Sequence, residues 1–255
     1  GDNIESVVYV RMKRKACDKL GIKCLVKNLD KNIDEDTLIK EINILNEDTT
    51  IHGILVQLPL PEHINPKRIL ECIDYNKDVD GFHPLNFGKL SQNNEPLFIP
   101  CTPLGCIKLL EHYDINVKGM DTTIIGCSNL VGLPLSLLLL HKNATVTICH
   151  RSTKDVKKCV QNADLIIACC GVTHLVKEDW VKKDAIIIDI GINKLLDNTK
   201  KRGYRLVGDV DFENVKSKTK YITPVPGGVG PMTIAMLLFQ IVKSAENFLL
   251  KNTKK

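Results

Sequence analysis

Lys13 is the residue in this sequence best placed to move a proton. It lies in SVVYVRMKRKACDKL, residues 6–20, whose pattern predicts a helix. At about 100° per residue, Tyr9, Ala16 and Leu20 share one face, Lys13 falls about 40° from Tyr9, and the segment's other four cations point elsewhere. A lysine removed from water has a lowered pKa and exchanges protons near neutrality. The alternative is a lysine whose ammonium reaches solvent along an apolar stem.

Three further segments carry residues that could act beside it. Gln57 stands near the end of the apolar run 51–60, IHGILVQLPL, in the place where the active sites of α/β proteins collect. Asp78 and Asp80 lie in KDVDGFHPLN, although carboxylates there also suit ordinary turn chemistry. The segment 224–233, PVPGGVGPMT, predicts a rigid loop with bare backbone on which a flat ring could lie.

The segment IIGCSNLVGLP, residues 124–134, reads as half of a dinucleotide fingerprint. Gly126 permits a tight strand-to-helix turn, and Gly132 permits close packing of the helix on the sheet. The N-terminus of that helix offers N–H groups to a pyrophosphate. Ser128 replaces the middle glycine and adds a side-chain donor. An ordinary βα turn is the alternative interpretation.

The end of the next predicted strand bears on the type of dinucleotide. NAD enzymes place an acidic residue about 20 residues after the glycines, whereas here Arg151 and Ser152 follow the strand in CHRST. A guanidinium and a hydroxyl bind a 2′-phosphate that a carboxylate would repel. The sequence therefore favours NADP over NAD. The alternative is that Arg151 is a solvated loop cation.

The second half of the chain has the pattern of a doubly wound α/β domain. Its apolar runs are continuous, as in parallel strands covered on both faces. We predict strands at 122–126, 144–150, 164–171, 185–193 and 205–210, with helices at about 130–141 and around 156–163.

The first half is also predicted to be α/β. Gly21 would end the first helix as a C-cap, Asp34 would cap the second, and Pro231 would lie in the first turn of the last. We predict helices at 7–20, 34–46 and 231–250, strands at 22–29 and 51–60, and a hinge between domains at 115–121.

Composition bounds the class of protein. The 255 residues are 44% hydrophobic and 25% charged with a net charge of +5, which fits one large or two modest globular domains. No basic run is interleaved with aromatic residues, so we expect no nucleic-acid partner. The ten cysteines include no C-x-x-C pair, so we expect no metal site and a reducing, cytoplasmic compartment. The longest apolar run is short and contains Pro134, so we expect no membrane partner.

Taken together, the motifs resemble the bifunctional methylenetetrahydrofolate dehydrogenase/cyclohydrolase family, known in bacteria as FolD. The resemblance covers essentially the whole chain, and the last motif is nearly diagnostic. The motifs that carry it are SVVYVRMKRKA, LVQLPLP, DVDGFHPLNFGKL, IPCTPLGC, GCSNLVGLP and PVPGGVGPMT.

The resemblance implies an α/β fold of two domains with a cleft between them. The N-terminal α/β catalytic domain would comprise residues 1–118, with the last helix, 231–255, packing back on it. A Rossmann-like parallel-sheet domain that binds NADP would comprise 119–230. The family also implies a homodimer.

The implied function is the NADP-dependent oxidation of 5,10-methylenetetrahydrofolate to 5,10-methenyltetrahydrofolate and its hydrolysis to 10-formyltetrahydrofolate, in one-carbon metabolism and purine biosynthesis. In the family, Lys13 is essential for the hydrolysis and Gln57 positions it. Tyr9 stacks on the aminobenzoate ring, and Asp80 holds the pterin edge. The implied catalytic residues are Lys13, Gln57 and Asp80. The implied folate contacts are Ser6, Tyr9, Asp80, Pro226, Gly227 and Gly228. The implied cofactor contacts are Gly126, Ser128, Gly132, Arg151, Ser152, Gly171, Ile192 and Thr233.

Two departures from the family pattern qualify these expectations. Cys127 stands where the family usually has an arginine, which weakens cofactor binding or leaves Arg151 alone with the 2′-phosphate. Family members have a helix and a strand before GDN, so we expect a truncated chain, and any organellar targeting segment would lie upstream.

Two rival functions have less support. A dehydrogenase of a shikimate-like acid would need cationic anchors for a carboxylate, and the first domain shows none besides Lys13. A nucleotide-sensing module without catalysis would have no reason to combine Lys13, Gln57 and Asp80 with a cofactor motif.

Overall fold

The computed structural model describes residues 1, 3–200 and 202–252, which divide into two units. Unit 1 comprises Gly1–Cys101 and Ile234–Lys255, and unit 2 comprises Thr102–Thr233. Residues 253–255 of the predicted last helix lie outside the described part. The predicted boundaries at 118/119 and 230/231 separate a catalytic domain from an NADP-binding domain, and they stay a prediction.

The helices and strands are numbered along the chain. The helices are α1 (Ile4–Lys19), α2 (Glu35–Glu47), α3 (Pro66–Glu71), α4 (Pro84–Ser91), α5 (Cys101–His112), α6 (Gly132–His141), α7 (Val156–Gln161), α8 (Phe212–Val215) and α9 (Val229–Asn252). The strands are β1 (Asp121–Ile125), β2 (Thr145–Cys149), β3 (Leu165–Ala168), β4 (Ile186–Asp189), β5 (Asn193–Leu196), β6 (Tyr204–Val207) and β7 (Tyr221–Ile222).

The first helix of unit 1 is fixed at both ends. The Asn3 side chain accepts a hydrogen bond from the Ser6 N–H, and Gly21, with φ of +69°, ends the helix as predicted. Lys13 is half-buried, whereas the other cations of α1 are exposed. The prediction that Leu20 shares this face is wrong, because it follows the last helical residue and is 64% exposed.

The two strands predicted in unit 1 are not formed. Residues 22–29 are irregular, with Leu25 and Val26 exposed, and residues 51–60 contain only one isolated bridge, between Ile54 and Asp78. Their composition is typical of strands, but a strand needs a hydrogen-bonded neighbour. Among the described residues, neither segment has one along its length. The second helix does form, and the Asp34 carboxylate caps it as predicted, accepting from the Thr37 N–H at 2.7 Å.

The last helix, α9, contributes a buried face to unit 1. Ile234, Leu237 and Leu238 lie in its core, where Ile234 and Leu238 pack with Cys17 of α1. The stretch Val229–Lys251 is also long and apolar enough, by length and composition alone, to cross a membrane. We interpret α9 as a core helix because Gln240 is 2% exposed and hydrogen-bonded to other parts of unit 1.

Unit 2 contains a parallel five-stranded sheet of order β2-β1-β3-β4-β7. Its register aligns Thr122 with Val146 on one side and with Leu165 on the other. Neighbouring residues of one strand face opposite sides of the sheet: Ile124 packs in the core beneath α5 and α6, and Ile125 packs in the core beneath α7 and α8. The predicted doubly wound α/β architecture is therefore confirmed.

Two details of unit 2 differ from the predictions. The run 205–210 does not continue the parallel sheet, because β6 pairs antiparallel with β5 in a separate two-stranded sheet. Residues along both strands alternate between exposed and more buried positions, which suits a hairpin with one solvated face. The fifth parallel strand is instead Tyr221–Ile222. Residues 115–121, predicted as a hinge between domains, belong to unit 2, and the hinge stays a prediction together with the domain boundaries.

Candidate active site and dinucleotide site

Lys13 and Gln57 meet in unit 1. The Lys13 ammonium donates to Gln57 Oε1 at 3.0 Å, while Gln57 Nε2 donates to the Leu58 carbonyl at 2.8 Å. Because the amide nitrogen is held by this carbonyl, the amide oxygen must face the lysine. The angular spacing along the helix predicted that Lys13 faces inward, and in the structure its acceptor comes from a residue 44 positions further along the chain.

Asp80 lies close enough to Lys13 for their charges to interact. Burial raises the pKa of its carboxyl above the usual value, and the positive charge of Lys13 and the thiol of Cys101 oppose that rise. The three groups predicted to be catalytic therefore come together in unit 1. A basic side chain, an amide and a carboxyl of raised pKa can together relay a proton.

The turn that presents Asp80 is organised by Asp78. Its carboxylate accepts from the N–H groups of Phe82 and His83 and from Asn86 Nδ2. Burial raises the pKa of Asp78 to about 6, although these donors oppose the rise. Gly81, with φ of +76°, leaves room for the backbone at Ile99, which a Cβ would approach to 2.5 Å. Asp78 is therefore structural, in agreement with the turn interpretation.

Gln240 of α9 is a buried polar residue that the sequence analysis missed. Its Nε2 donates to the Val79 carbonyl at 2.7 Å and to Cys101 Sγ at 3.3 Å, and its Oε1 accepts from the Ile99 N–H at 2.8 Å. It thus ties together the two segments that flank Asp80. The signal in the sequence was a lone amide in the apolar pattern of the last helix.

The predicted folate contacts on α1 are both half-buried. Tyr9 lies one helical turn before Lys13, so that the two side chains share a face. The buried Oγ of Ser6 has no hydrogen-bond partner among the residues that the structure describes. A buried hydroxyl without a partner is uncommon, and a polar ligand atom would satisfy it.

The loop Pro226–Gly228, predicted to bind a ring, belongs to unit 2. Val225–Pro226 is a cis peptide bond, and Gly227 has φ of +110°. A Cβ on Gly227 would meet no atom within 4 Å. The loop therefore offers bare backbone to its surroundings.

The glycine turn after β1 has the geometry that the fingerprint predicts. Gly126 has φ of +125°, and a Cβ there would lie 2.4 Å from the Cys169 carbonyl oxygen. A Cβ on Gly132 would lie 2.1 Å from the Gly126 carbonyl oxygen. Ser128 accepts from the Val131 N–H through Oγ, at 3.2 Å, and Val131, the N-cap residue of α6, has no side-chain oxygen that could cap the helix. A glycine turn that leads into a helix N-terminus fits a pyrophosphate.

Four other residues that are predicted to contact the cofactor follow the ends of strands β2, β3 and β4. Arg151 and Ser152 are exposed directly after β2, whose end is hydrogen-bonded to the glycine turn by Gly126 N and Cys149 O at 2.9 Å. Gly171 follows β3 with φ of +72°. Ile192 follows β4 and is 47% exposed.

Thr233 is a further predicted cofactor contact, and Cys127 is the residue that departs from the family pattern. The Thr233 hydroxyl is 3.0 Å from the Thr102 hydroxyl, which gives it a structural partner within unit 2. Cys127 is an exposed thiol in the glycine turn. Within residues 1, 3–200 and 202–252, no cluster of His, Cys, Asp or Glu could hold a metal ion.

Comparison with known proteins identifies relatives of both units. The sequence profile of the tetrahydrofolate dehydrogenase/cyclohydrolase catalytic domain matches residues 1–80, and that of the NAD(P)-binding domain matches residues 100–249. The Campylobacter jejuni bifunctional protein FolD is 53% identical over 97% of this chain and 86% of its own. The Arabidopsis thaliana bifunctional protein FolD 2 is 51% identical over 96% and 83%.

A solved structure is similar over the same length. It is the Trypanosoma brucei N5,N10-methylenetetrahydrofolate dehydrogenase-cyclohydrolase complexed with NADP and an inhibitor. It superimposes with a TM-score of 0.93 at 37% identity, over 97% of this chain and 84% of that one.

Proposed function

Since this chain belongs to the tetrahydrofolate dehydrogenase/cyclohydrolase family, we propose that it oxidises 5,10-methylenetetrahydrofolate with NADP⁺ and hydrolyses the product to 10-formyltetrahydrofolate. The observation that carries the proposal is the contact of 3.0 Å between Lys13 Nζ and Gln57 Oε1, with Asp80 in the same unit. We assign to these three residues the catalytic roles that the sequence motifs imply.

Hydrolysis is the step that needs proton transfer. Water adds to the methenyl cation, a ring C–N bond breaks, and one proton is released, so a base must accept and return protons. We assign this role to the neutral amine of Lys13, with Gln57 holding the amino group in one direction. Asp80 binds the polar edge of the pterin, and Tyr9 stacks on the aminobenzoate ring. Ser6, whose Oγ has no partner among the described residues, supplies a further polar contact to the folate.

Oxidation needs alignment rather than a strong acid or base. The lone pair of the neighbouring folate nitrogen expels hydride from the methylene carbon, and the dinucleotide supplies the acceptor. The chain's own part is to bind and orient. We assign the pyrophosphate to Gly126, Ser128 and Gly132, and ring contacts to the bare backbone of Pro226–Gly228.

The wild-type test uses tetrahydrofolate, formaldehyde and NADP⁺. We expect the absorbance of the methenyl product to appear only when all three are present, and supplied methenyltetrahydrofolate to be hydrolysed without dinucleotide. No methenyl product from the folded protein would contradict the proposed function.

The Lys13→Met variant tests the assignment of the base. It should form no 10-formyl product while it retains some hydride transfer, because only hydrolysis needs the amine. Lys15→Met is the matched control, since Lys15 lies on the same helix with an exposed side chain, and it should behave like wild type. Normal hydrolysis by Lys13→Met would refute the assignment.

We propose NADP rather than NAD as the natural cofactor, on the side chains that follow β2. Arg151 and Ser152 are exposed there, and a charge-assisted hydrogen bond to a phosphate contributes roughly 1.5–3 kcal/mol. Arg151→Ala should therefore weaken NADP⁺ binding by about tenfold or more and leave NAD⁺ binding nearly unchanged. Lys154→Ala removes an equal charge from the same loop and serves as the control. Tighter binding of NAD⁺ than of NADP⁺ by wild type would overturn this choice.

Finer points follow from the family alone and are offered as proposals. We propose a homodimer in the cytoplasm, with organellar targeting left open. The functional domains would be 1–118 with 231–255, and 119–230. Sedimentation at several concentrations tests the dimer, and microscopy of the tagged natural protein tests the compartment.

A further inference from the structure

Asp189 and Asp209 are a pair of buried carboxylates that none of the roles assigned so far uses. They are 3% and 0% exposed. Asp189 accepts from the N–H groups of Gly191, Asp209 and Val210, at 2.9 to 3.0 Å. Buried carboxylates are costly unless such donors surround them, so these two must contribute something that an apolar pair would not.

Asp209 binds two different loops at once. Its Oδ2 accepts from the N–H groups of Cys170 and Gly171 at 2.7 and 3.0 Å, and its Oδ1 accepts from Asn193 Nδ2 at 2.8 Å. Cys170 and Gly171 lie in the loop after β3, whereas Asn193 begins β5 after the loop that follows β4. One side chain therefore fixes the distance between these loops.

Each of the two aspartates lies against a glycine in the segment that carries the other aspartate. A Cβ on Gly191, two residues after Asp189, would lie 2.1 Å from Asp209 Oδ1. A Cβ on Gly208, the residue before Asp209, would lie 1.8 Å from Asp189 Oδ2. Each carboxylate therefore fills the space that the glycine of the opposite segment leaves free, so that residues 189–191 pack closely against residues 208–209.

These loops lie at the carboxyl edge of the parallel sheet, beside the glycine turn. β3 neighbours β1 and β4, and Gly126 is so close to Cys169 that a Cβ would reach its carbonyl oxygen at 2.4 Å. Ligands of open α/β sheets bind outside this edge. The loops also carry Gly171 and Ile192, both of which the family resemblance implies as cofactor contacts.

We propose that Asp209, supported by Asp189, is a positioning residue of the dinucleotide site that holds the backbone at Gly171 and Ile192 in the conformation that receives the cofactor. This inference rests on the proposed function. Neither carboxylate needs to touch the dinucleotide. Their action is to set where the N–H groups and side chains of the two loops lie.

The test compares Asp209→Ala with Asp209→Asn. Each purified variant is titrated with NADP⁺, and calorimetry measures the binding affinity. The alanine leaves two backbone N–H groups and the Asn193 amide without their acceptor, so NADP⁺ binding should weaken about 10- to 100-fold, the order expected when buried donors lose a charged acceptor. The asparagine keeps one acceptor for the two N–H groups, and Asn193 can rotate its amide to accept from the new NH₂. Asp209→Asn should therefore restore most of the affinity.

Hydrolysis of supplied methenyltetrahydrofolate is the internal control, because it needs no dinucleotide. It should stay near the wild-type rate in both variants. If Asp209→Ala does not fold, Asn193→Ala removes one of the three bonds and should still weaken NADP⁺ binding while the Cys170 and Gly171 amides exchange hydrogen faster.

Three results would overturn the inference. The first is NADP⁺ affinity unchanged in folded Asp209→Ala. The second is a loss of hydrolysis as large as the loss of binding, which indicates a purely structural role. The third is an asparagine variant as weak as the alanine variant. A wild-type protein that forms no methenyl product and binds no dinucleotide would instead overturn the proposed function itself.

Discussion

The substitution Gly132→Ala separates the two activities most directly. Gly132 is the first residue of α6 and lies against the glycine turn. Its missing side chain lets the helix approach the backbone at Gly126, where a Cβ would be 2.1 Å from the carbonyl oxygen and 2.7 Å from the carbonyl carbon. Both contacts are to backbone, so no side-chain rotation can relieve them.

The size of the effect follows from these distances. Because Cβ atoms essentially never approach within 3.0 Å of another heavy atom, the helix and the turn must separate by about 0.9 Å at this point. Overpacking of this kind costs typically 1–3 kcal/mol, and we expect the upper part of that range because backbone must move. The turn that moves is the one assigned to the pyrophosphate, and the loss of one hydrogen bond to a charged group weakens binding by about tenfold or more, so NADP⁺ binding should fall by that factor.

The assay has three measurements and one matched control. Urea unfolding gives the free energy of unfolding, titration gives NADP⁺ affinity, and supplied methenyltetrahydrofolate gives the hydrolysis rate, which should not change. Gly88→Ala is the control, because Gly88 also lies in a helix, α4, but a Cβ there would meet no atom within 4 Å. Replacement of a helical glycine by alanine stabilises by up to about 1 kcal/mol, so this variant should be slightly more stable and fully active.

Two outcomes would refute this reasoning. Gly132→Ala with wild-type stability and wild-type NADP⁺ affinity would show that α6 does not depend on the close approach. A variant that loses hydrolysis together with NADP⁺ binding would show that the two activities are not separable in this way.

Further predictions concern polar groups buried in the structure. Gln240→Leu leaves the part-buried Ile99 N–H without its acceptor and the Val79 carbonyl with only the Cys101 thiol as a donor, and it should lower the free energy of unfolding by roughly 1–3 kcal/mol. Phe239→Leu, at an exposed position of the same helix, should change the free energy of unfolding by less than about 1 kcal/mol. Equal effects of the two substitutions in urea unfolding would refute the role of the amide. For pH, burial raises the pKa values of Asp78 and Asp189 to about 6, so the folded state holds protons that the unfolded state releases between about pH 4 and 6. The free energy of unfolding should therefore fall as pH rises through this interval, by on the order of 2–3 kcal/mol per group. Carboxyls whose pKa is lowered, such as those of Glu35 and Asp179, have the opposite effect on stability, at and below their ordinary pKa values. A free energy of unfolding that rises throughout this interval would contradict the prediction.

The sequence predicted most of unit 2 because its strands are continuous apolar runs and its turn glycines have no substitute. The fifth strand, β7, was missed because it has only two residues, Tyr221 and Ile222, between polar neighbours. In unit 1, residues 22–29 and 51–60 have strand-like composition, but composition alone does not supply a pairing partner. Local pattern therefore predicted the helices of unit 1 and not the pairing of its extended segments.

The candidate site shows the same limit. Lys13 was placed on the inner face of its helix by angular spacing alone, a local property. The partners of Gln240 are more than 130 residues away in sequence, and Asp189 and Asp209 are bonded across 20 residues. No spacing rule connects such residues, so these contacts could be found only in the folded chain.

The division of the chain has a consequence for its synthesis. Unit 2 is one uninterrupted segment, Thr102–Thr233, while unit 1 needs Ile234 and the residues after it. As the nascent polypeptide leaves the ribosome, the Rossmann-type portion is complete first. The earlier-made portion must wait, with the apolar surface that α9 will cover still open, until the last helix emerges. Chaperone binding during translation should therefore concentrate on the amino-terminal residues, although they are the first to be made.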